Sequence, residues 1–233
     1  EVTFKDDNRV SQIDYTYHEN GKKKDEINYK DGKKDGKQSM WYEDGQKKFE
    51  GNYKDDKKDG KQSMWYEDGQ ISGEQTYKDD KADGKETFWY ENGQIQSEGT
   101  FKDDNRVSQI DYTYHENGQI ESKTNYKDGK LNGKVTLWYE NGQKWNEGDV
   151  KDGKMDGKLT AWYENGQIQS ESNYKDGKLD GKVTNWYENG QIMGEVNTKD
   201  DKEDGKFTEW HENGQIKSEG TFKDGVCISG DCD

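Results

Sequence analysis

The chain has 233 residues, a formal net charge of −15, 37% charged residues, no proline and only 25% hydrophobic residues. Aromatic residues make up 12% of the chain, about half of that hydrophobic share, so aliphatic side chains are too scarce to fill an ordinary two-layer core. The acidic balance disfavours nucleic-acid and anionic-lipid partners, because both need a basic surface. No stretch approaches the ~20 apolar residues of a membrane span.

Glycines recur at a fixed interval along the chain. The tripeptide Glu-Asn-Gly or Glu-Asp-Gly returns every 24 residues, with one interval of 25. Its nine glycines are Gly21, Gly45, Gly69, Gly93, Gly118, Gly142, Gly166, Gly190 and Gly214. So charged a composition is typical of disorder, but a disordered chain has no reason to space its aromatic residues regularly. We therefore predict nine tandem 24-residue repeats over residues 1–225, followed by a Cys-containing tail or cap at 226–233.

One stretch of the chain occurs twice. Residues 3–21 and 100–118 are identical, at an offset of 97 residues, which is four repeats of 24 plus one. The most economical interpretation is duplication of a four-repeat block. In the second copy, residues 105–108 replace a usual Asp-Gly, so we expect a local bulge or kink there.

Each repeat contains two candidate strands. Strand A follows the pattern Gln-Ile-x-Ser-Glu-x-x-Tyr/Phe and strand B the pattern Lys-x-Thr-x-Trp-Tyr-Glu, both rich in β-branched and aromatic residues. The Asn-Gly or Asp-Gly between strand B and the next strand A predicts a type I′ turn, which needs positive φ at both central residues. Between strand A and strand B, Lys-Asp-Gly-Lys-x-Asp-Gly-Lys predicts a longer connection with two turn points.

Side chains on strand B alternate between two mixed faces. Val135, Leu137 and Tyr139 share one face, whereas Thr136 and Trp138 share the other. No run has a helical period. We therefore predict an all-β fold, an elongated single-layer antiparallel sheet of tandem β-hairpins. With two strands per repeat at ~4.8 Å each, it would extend about 90 Å.

Equivalent aromatic positions form two rows. The Trp row is Tyr17, Trp41, Trp65, Trp89, Tyr114, Trp138, Trp162, Trp186 and Trp210. The Tyr row is His18, Tyr42, Tyr66, Tyr90, His115, Tyr139, Tyr163, Tyr187 and His211. We expect the Trp row to be structural, because cross-strand aromatic pairs stabilise sheets. A half-exposed row could also stack against sugars or peptides.

Trp145 lies outside both rows. It occupies a strand A position where other repeats carry Gln169 or Lys217. An aromatic residue outside the repeat pattern is a candidate contact residue. The predicted binding surface therefore comprises Trp145, Tyr139, Tyr163 and Tyr187.

The repeat motif resembles a known family. The motif Tyr-Lys-Asp-Gly-Lys-x-Asp-Gly-Lys-x-x-x-Trp-Tyr-Glu-Asn-Gly resembles the bacterial variant of the MORN repeat, found in proteins labelled YwqK-family antitoxins. The resemblance covers about Thr3 to Gly225. It implies consecutive antiparallel hairpins in one elongated, twisted sheet. Such arrays look like scaffolds or binding platforms, and lipid contact is proposed for some. No residue here supports the antitoxin label.

Histidine and aspartate residues do not form a convincing catalytic or metal site. His18, His115 and His211 occupy the Tyr row, whole repeats apart, so we expect them to be structural. A calcium loop is the alternative for the Asp-Gly segments. Residues 175–182, however, contain three Lys and two Asp, and ammonium groups compete with Ca²⁺. We predict no catalytic residue, metal or cofactor, and therefore no enzyme.

The two cysteines and the chain ends suggest a capped array. Cys227 and Cys232 are expected either to form a small disulfide, in an exported or cell-surface setting, or to stay free thiols, which leaves a cytoplasmic location open. Strand A at 215–222 is followed by the Cys tail, so we expect an unpaired sheet edge there and another at the first strand. A disulfide-closed tail would cap that edge, whereas head-to-tail pairing would extend the sheet.

Three functions remain compatible with this pattern. The first is a non-enzymatic scaffold or binding platform that presents an aromatic-lined surface to a protein or surface-polymer partner. The second is a self-assembling structural or surface protein, filament-like or adhesin-like, that extends its sheet across chains through edge strands. The third is an antitoxin-like partner-binding protein. Neither a nucleic-acid partner nor a membrane span is expected.

Overall fold

The part of the chain that the structure describes folds into β-strands and turns. A computed structural model describes residues 1–5 and 8–232, and these residues form 21 strands and no helix. They divide into two compact units, unit 1 (Glu1–Ile110) and unit 2 (Asp111–Asp233). The predicted all-β fold is therefore confirmed.

Strand order within each unit follows chain order. The strands of unit 1 are β1 (Val2–Lys5), β2 (Asn8–Tyr17), β3 (Lys23–Lys30), β4 (Lys33–Trp41), β5 (Lys47–Lys54), β6 (Lys57–Trp65), β7 (Ile71–Lys78), β8 (Lys81–Trp89), β9 (Ile95–Lys102) and the first part of β10 (Asn105–Tyr114). Unit 2 contains the rest of β10, then β11 (Ile120–Lys127), β12 (Lys130–Trp138), β13 (Lys144–Lys151), β14 (Lys154–Trp162), β15 (Ile168–Lys175), β16 (Lys178–Leu179), β17 (Gly181–Trp186), β18 (Ile192–Lys199), β19 (Lys202–Trp210), β20 (Ile216–Lys223) and β21 (Val226–Gly230).

Every hairpin partner is a neighbour in sequence. Antiparallel pairing runs from β1 to β9 in unit 1 and from β11 to β21 in unit 2. β15 pairs with both β16 and β17, which are two parts of one strand B. Each unit is thus a single layer of consecutive hairpins, as the repeat pattern predicted.

The turn from strand A to strand B is shorter than predicted. Lys30 pairs directly with Lys33, so Asp31 and Gly32 alone form the turn. Both have positive φ, 49° and 80°, which is the pattern of a type I′ turn. This turn matches the right-handed twist of its strands, so strand B begins directly after the first Asp-Gly.

In the regular repeats, the second Asp-Gly belongs to strand B and does not form a turn. Gly36 has φ of 96°, and the register of β3 against β4 shifts between Ile27 and Tyr29. A glycine with positive φ inside a paired strand marks a β-bulge. The prediction of two turn points in this connection is therefore wrong, because the second one bends a strand instead of reversing it. Residues 175–182 include β16 and the start of β17 for the same reason.

The Asn-Gly turn also differs from its prediction. After β4, the Tyr42 N–H donates to the Gln46 carbonyl, and the Gly45 N–H donates to the Tyr42 carbonyl, both at 2.9 Å. Gly45 has φ of 94°, whereas Asp44 is not among the residues with positive φ. This is a three-residue loop with a glycine bulge, and not a type I′ turn. The Asp44 carboxylate accepts the Gln46 N–H at 2.8 Å, which explains the preference for Asn or Asp there.

The irregular repeat keeps its strand. β10 runs without a break through 105–108 and has ten residues where a regular strand B has nine. In the identical first copy, the register of β1 against β2 shifts between Thr3 and Phe4, opposite Ser11 and Arg9. In the first copy the extra residue is therefore absorbed by a local irregularity of the register, whereas the bulge or kink expected at 105–108 stays a prediction.

The packed face is mostly polar. The buried hydrophobic residues among those described are Val150 and Ala161, at 9% and 8% exposure. Gln38, Gln62 and other Gln, Ser and Thr side chains are buried to a similar degree. A single sheet layer has nothing to pack a dry core against, so backbone pairing and polar contacts carry much of the burial.

The C-terminal residues form a further strand. β21 pairs with β20, with Phe222 opposite Cys227. Cys227 and Cys232 form a disulfide, with an Sγ–Sγ distance of 2.12 Å. The expectation that the strand A at 215–222 would keep an unpaired outer edge is wrong, because β21 occupies the position of a strand B.

Candidate functional site

Hydrogen bonds connect the Tyr row to the Trp row of the following repeat. The hydroxyl of Tyr139 donates to the backbone carbonyl of Trp162 at 2.8 Å. The same bond joins Tyr42 to Trp65, Tyr66 to Trp89, Tyr163 to Trp186 and Tyr187 to Trp210, at 2.6–2.8 Å. We call this set the Tyr–Trp ladder. It gives the Tyr row a structural role that connects repeats.

Two histidines take a tyrosine's place in this ladder. Nε2 of His18 lies 2.9 Å from the Trp41 carbonyl, and Nε2 of His115 lies 2.9 Å from the Trp138 carbonyl. A ring nitrogen carrying its proton donates there as a tyrosine hydroxyl would. The structure thus places both histidines where the repeat slot predicted.

Trp145 lies beside an open hollow in unit 2. Its side chain is 46% exposed, and its ring centroid is 6.0 Å from that of Tyr139, with the planes tilted by 38°. The hollow has a volume of about 480 Å³ and is lined by His115, Trp138, Tyr139, Glu140, Asn141, Trp145 and Glu164. We call it the Trp145 hollow. A second depression of about 310 Å³ on β10, β11 and β12 also borders Trp145.

Carboxylates set the electrostatics of the Trp145 hollow. Burial raises the pKa of the Tyr139 hydroxyl, and the negative charge of Glu164 raises it further. Asn141 donates from Nδ2 to the Glu164 backbone carbonyl at 2.9 Å, which fixes the rim. The hollow therefore combines aromatic walls with negative charge, an arrangement suited to a cationic or amphipathic group.

An equivalent hollow occurs in unit 1. It has a volume of about 580 Å³, and seven of its lining residues stand 97 positions before residues of the Trp145 hollow: His18, Trp41, Tyr42, Glu43, Asp44, Lys48 and Glu67. We call it the Lys48 hollow. Two differences are chemical, since Lys48 stands for Trp145 and Asp44 stands for Asn141. Nζ of Lys48 lies 5.2 Å from the centroid of the Tyr42 ring.

The other residues of the predicted binding surface lie apart from Trp145. Tyr163 and Tyr187 are half-buried, and their hydroxyls belong to the Tyr–Trp ladder. Only Tyr139 shares the hollow with Trp145. A contact role for Tyr163 and Tyr187 stays a prediction.

Lysine side chains lie over three rings of the Trp row, those of Trp41, Trp65 and Trp162. Lys144 lies with Nζ 5.5 Å from the Trp162 ring centroid and also contacts Glu147 at 2.5 Å. Lys134 contacts the other oxygen of Glu147 at 2.8 Å. Hydrogen bonds from Lys134 and Lys144 lower the pKa of the Glu147 carboxyl. Tyr17, in the same row, is 58% exposed.

The sequence did not indicate the carboxylates of the hollow. Glu140 and Glu164, like the neighbouring Asn141, belong to turns that every repeat contains. Nothing in the sequence therefore distinguished them from the same residues in other repeats. Aligning the two halves at the 97-residue offset would have shown that Trp145 replaces Lys48.

The described part of the chain contains neither a cluster of metal-ligating side chains nor a membrane-spanning helix. Within residues 1–5 and 8–232, no group of three or more His, Cys, Asp or Glu is arranged to hold a metal ion. The same residues contain no helix that is long and apolar enough to cross a membrane.

The repeat sequence matches a family model along most of the chain. The model described as the MORN repeat variant matches residues 15–31, 34–55, 58–79, 82–103, 112–128, 131–152, 155–176, 179–200 and 203–224. The chain belongs to the MORN repeat variant family. Nine matched segments equal the number of repeats expected from the glycine spacing.

Comparisons with other proteins add little about function. No curated protein matches the chain. Matched solved structures include a TcdB2-TccC3-Cdc42 complex, at 12% identity and a TM-score of 0.30, covering 92% of this chain and 14% of that one. Another is a Photorhabdus luminescens Tc holotoxin pore with a TccC3 mutation, at 11% identity and a TM-score of 0.30, covering 91% of this chain and 13% of that one. The chain thus spans a small part of either matched chain.

Proposed function

We propose that this MORN repeat protein is a non-enzymatic binding platform that contacts a protein or surface-polymer partner at the Trp145 hollow. The observation that carries the proposal is the half-exposed indole of Trp145 beside Tyr139, above a negatively charged rim. The repeat pattern does not require a large aromatic side chain at this position, since other repeats carry Gln169 or Lys217 there. Such residues are typical anchors of binding surfaces, because they bury a large area at little entropic cost.

The repeats supply a firm support for this surface. The Tyr139 hydroxyl donates to the Trp162 carbonyl, and Nε2 of His115 is hydrogen-bonded to the Trp138 carbonyl. These bonds tie the walls of the hollow to the preceding and following repeats. A contact surface held in place in this way loses little conformational entropy on binding.

The disulfide bears on where the platform works. A Cys227–Cys232 bond is typical of an oxidising environment, so the proposal includes an exported or cell-surface location. The proposal also includes a bacterial origin, which rests on the repeat motif. An antitoxin-like role rests on that resemblance alone.

The test is binding to two arrays, one of synthetic 12-residue peptides of varied charge and one of neutral and charged oligosaccharides. We expect saturable binding by the parent protein to at least one probe class, and loss of that binding in Trp145→Gln. Gln is the residue of two other repeats at this position, so the fold should be retained. Met193→Gln, at the same position in β18, is the matched control and should bind as the parent.

Two results would overturn the platform proposal. The first is a parent protein that binds no probe of either array. The second is binding that Trp145→Gln leaves unchanged, since the contact would then lie elsewhere.

Self-assembly is a second candidate, favoured by one observation. Val226 and Ile228, both in β21, are 63% and 61% exposed. Apolar side chains on a terminal strand invite pairing with another chain. Light scattering over a hundredfold range of concentration tests this candidate, and a constant monomer mass would remove it.

A further inference from the structure

The Lys48 hollow contains an ammonium group supplied by the chain itself. Nζ of Lys48 lies 5.2 Å from the centroid of the Tyr42 ring. Glu43, Asp44 and Glu67 line the same hollow. Burial raises the pKa of the Tyr42 hydroxyl, and the charges of Glu67 and Asp44 raise it further, which places those carboxylates close to the ring. An aromatic face with carboxylates around it is an established setting for a cation.

The Trp145 hollow keeps the tyrosine and two of the three carboxylates, with Asn141 in place of Asp44, and its lining contains no lysine. Tyr139 stands for Tyr42, Glu140 for Glu43 and Glu164 for Glu67, whereas Trp145 stands for Lys48. Neither Glu140 nor Glu164 forms an ion pair with a residue that the structure describes. The duplication has therefore left a hollow with the walls of a cation site, in which a second aromatic ring has replaced the lysine.

We propose that the Trp145 hollow binds the side chain of a lysine from a basic segment of a partner protein. The inference rests on the proposed platform function and names the partner's chemistry. The ammonium group lies over the Tyr139 ring, as Nζ of Lys48 does over Tyr42 in the other hollow. Its alkyl stem packs along the Trp145 indole, and Glu140 and Glu164 supply the opposing charge.

The charge of the whole chain favours the same class of partner. A net charge of −15 attracts basic segments and raises their encounter rate with the hollow. A neutral sugar would pack against the indole and hydrogen-bond the two carboxylates through its hydroxyls, but it would leave their negative charge uncompensated, which a lysine ammonium neutralises. The paired presence of indole and carboxylates is therefore the reason to choose a lysine over a neutral polymer.

The first experiment uses acetylated, amidated tetralysine as the probe, with calorimetric titration at near-physiological salt. Trp145→Lys places a lysine where the Lys48 hollow has one, so the chain's own ammonium should compete with the probe. We expect tetralysine binding to weaken by about tenfold or more. Met193→Lys adds the same charge at the same repeat position and should bind within about twofold of the parent, because general charge effects are small and screened.

A gain-of-function variant provides an independent arm. Lys48→Trp removes the ammonium from the unit 1 hollow and supplies the indole. We expect the stoichiometry of tetralysine binding to rise from one to two. A stoichiometry that stays at one, or equal weakening by Trp145→Lys and Met193→Lys, would overturn the lysine assignment. Melting curves of each variant establish that the fold is intact.

A neutral probe separates this inference from the platform proposal. If cellohexaose binds in a Trp145-dependent way and tetralysine does not, the lysine assignment is wrong and the platform stands. If no probe of either array shows Trp145-dependent binding, both proposals fail. Binding by tetralysine with Trp145 dependence, and no binding by cellohexaose, supports both.

Discussion

The hydroxyl of Tyr163 donates a hydrogen bond to the backbone carbonyl of Trp186, 23 residues further along the chain, at 2.7 Å. The two residues belong to successive repeats. Tyr163 directly follows the last residue of β14, and Trp186 is the last residue of β17. This bond supplements the strand pairing, and it ties the turn end of one repeat to the next. Since each repeat contacts only its neighbours, such local bonds set how cooperatively the array unfolds.

Replacing Tyr163 by Phe should therefore weaken the contact between two repeats. The variant leaves the half-buried Trp186 carbonyl without its donor, which costs about 1 kcal/mol. Urea unfolding measures the change. Tyr163→His is the matched control, because His115 makes the equivalent bond in its own repeat, and it should recover at least half of the loss. Equal stability of parent and Phe variant would show that the bond carries no net free energy.

The turn at Asp55 and Asp56 makes a second prediction. Both residues have positive φ, 48° and 68°, and Asp56 stands where other repeats have Gly. The Lys34 N–H donates to the Asp56 carboxylate at 2.8 Å. We expect Asp56→Ala to lose about 1–2 kcal/mol, since it keeps the strained backbone and loses the bond. Asp56→Gly exchanges the bond for an unstrained backbone and should differ little from the parent in thermal unfolding.

Acid should destabilise unit 2 partly through Glu147. Hydrogen bonds from Lys134 and Lys144 hold the folded pKa of this carboxyl below its ordinary value. Its contribution is thus complete above the unfolded pKa of ~4.3 and disappears as the pH falls through the folded pKa. Glu147→Gln should lower the free energy of unfolding at neutral pH by less than about 1 kcal/mol and reduce its acid dependence.

A matched control for the Glu147 prediction is available in β20. Glu219 occupies the same repeat position as Glu147 and forms no ion pair with a described residue. Glu219→Gln should leave the pH profile of unfolding unchanged. If both Gln variants flatten the profile equally, the effect is one of net charge and not of the Lys134 and Lys144 contacts.

Loss of the Cys227–Cys232 disulfide should expose β20. The bond joins Cys227, in β21, to Cys232, in the segment that follows β21. Sγ of Cys232 lies 2.5 Å from the position that a Cβ would take at Gly220 of β20. We expect the double variant Cys227→Ser, Cys232→Ser to associate more strongly with rising concentration, because an uncovered strand edge pairs readily. Sedimentation velocity measures this, and a variant that stays monomeric like its parent would contradict the capping role.

The repeat pattern was sufficient to predict the strands but not the turns. The sequence predicted a type I′ turn at Asp44-Gly45 and a longer connection at Asp31-Gly32, yet of the two only Asp31-Gly32 has positive φ at both central residues. What decides between them is the register of the strands on either side, Lys30 against Lys33 and Trp41 against Lys47. Register follows from pairing along the whole strand, so a dipeptide cannot reveal it.

The sequence predicted one residue of the candidate site, Trp145, but not which residues surround it. Trp145 was identified because it breaks the pattern of its position. Glu164 was not identified, because it lies 19 residues after Trp145 in the sequence. The hairpin between the two residues brings both to the same hollow. Tyr139 was chosen for its row, but its 6.0 Å approach to Trp145 depends on the three-residue loop that joins β12 to β13.

The polar packing of the sheet has a thermal consequence. Buried Gln38, Gln62, Thr136 and Thr160 outnumber the buried aliphatic Val150 and Ala161. Exposing apolar surface raises the heat capacity on unfolding, whereas exposing polar surface lowers it. The heat-capacity increment per residue should therefore fall below the ~12–15 cal/mol/K of ordinary domains. With so small an increment the stability curve is broad and flat, so the protein should resist unfolding in the cold and hold nearly constant stability across a wide range of temperature.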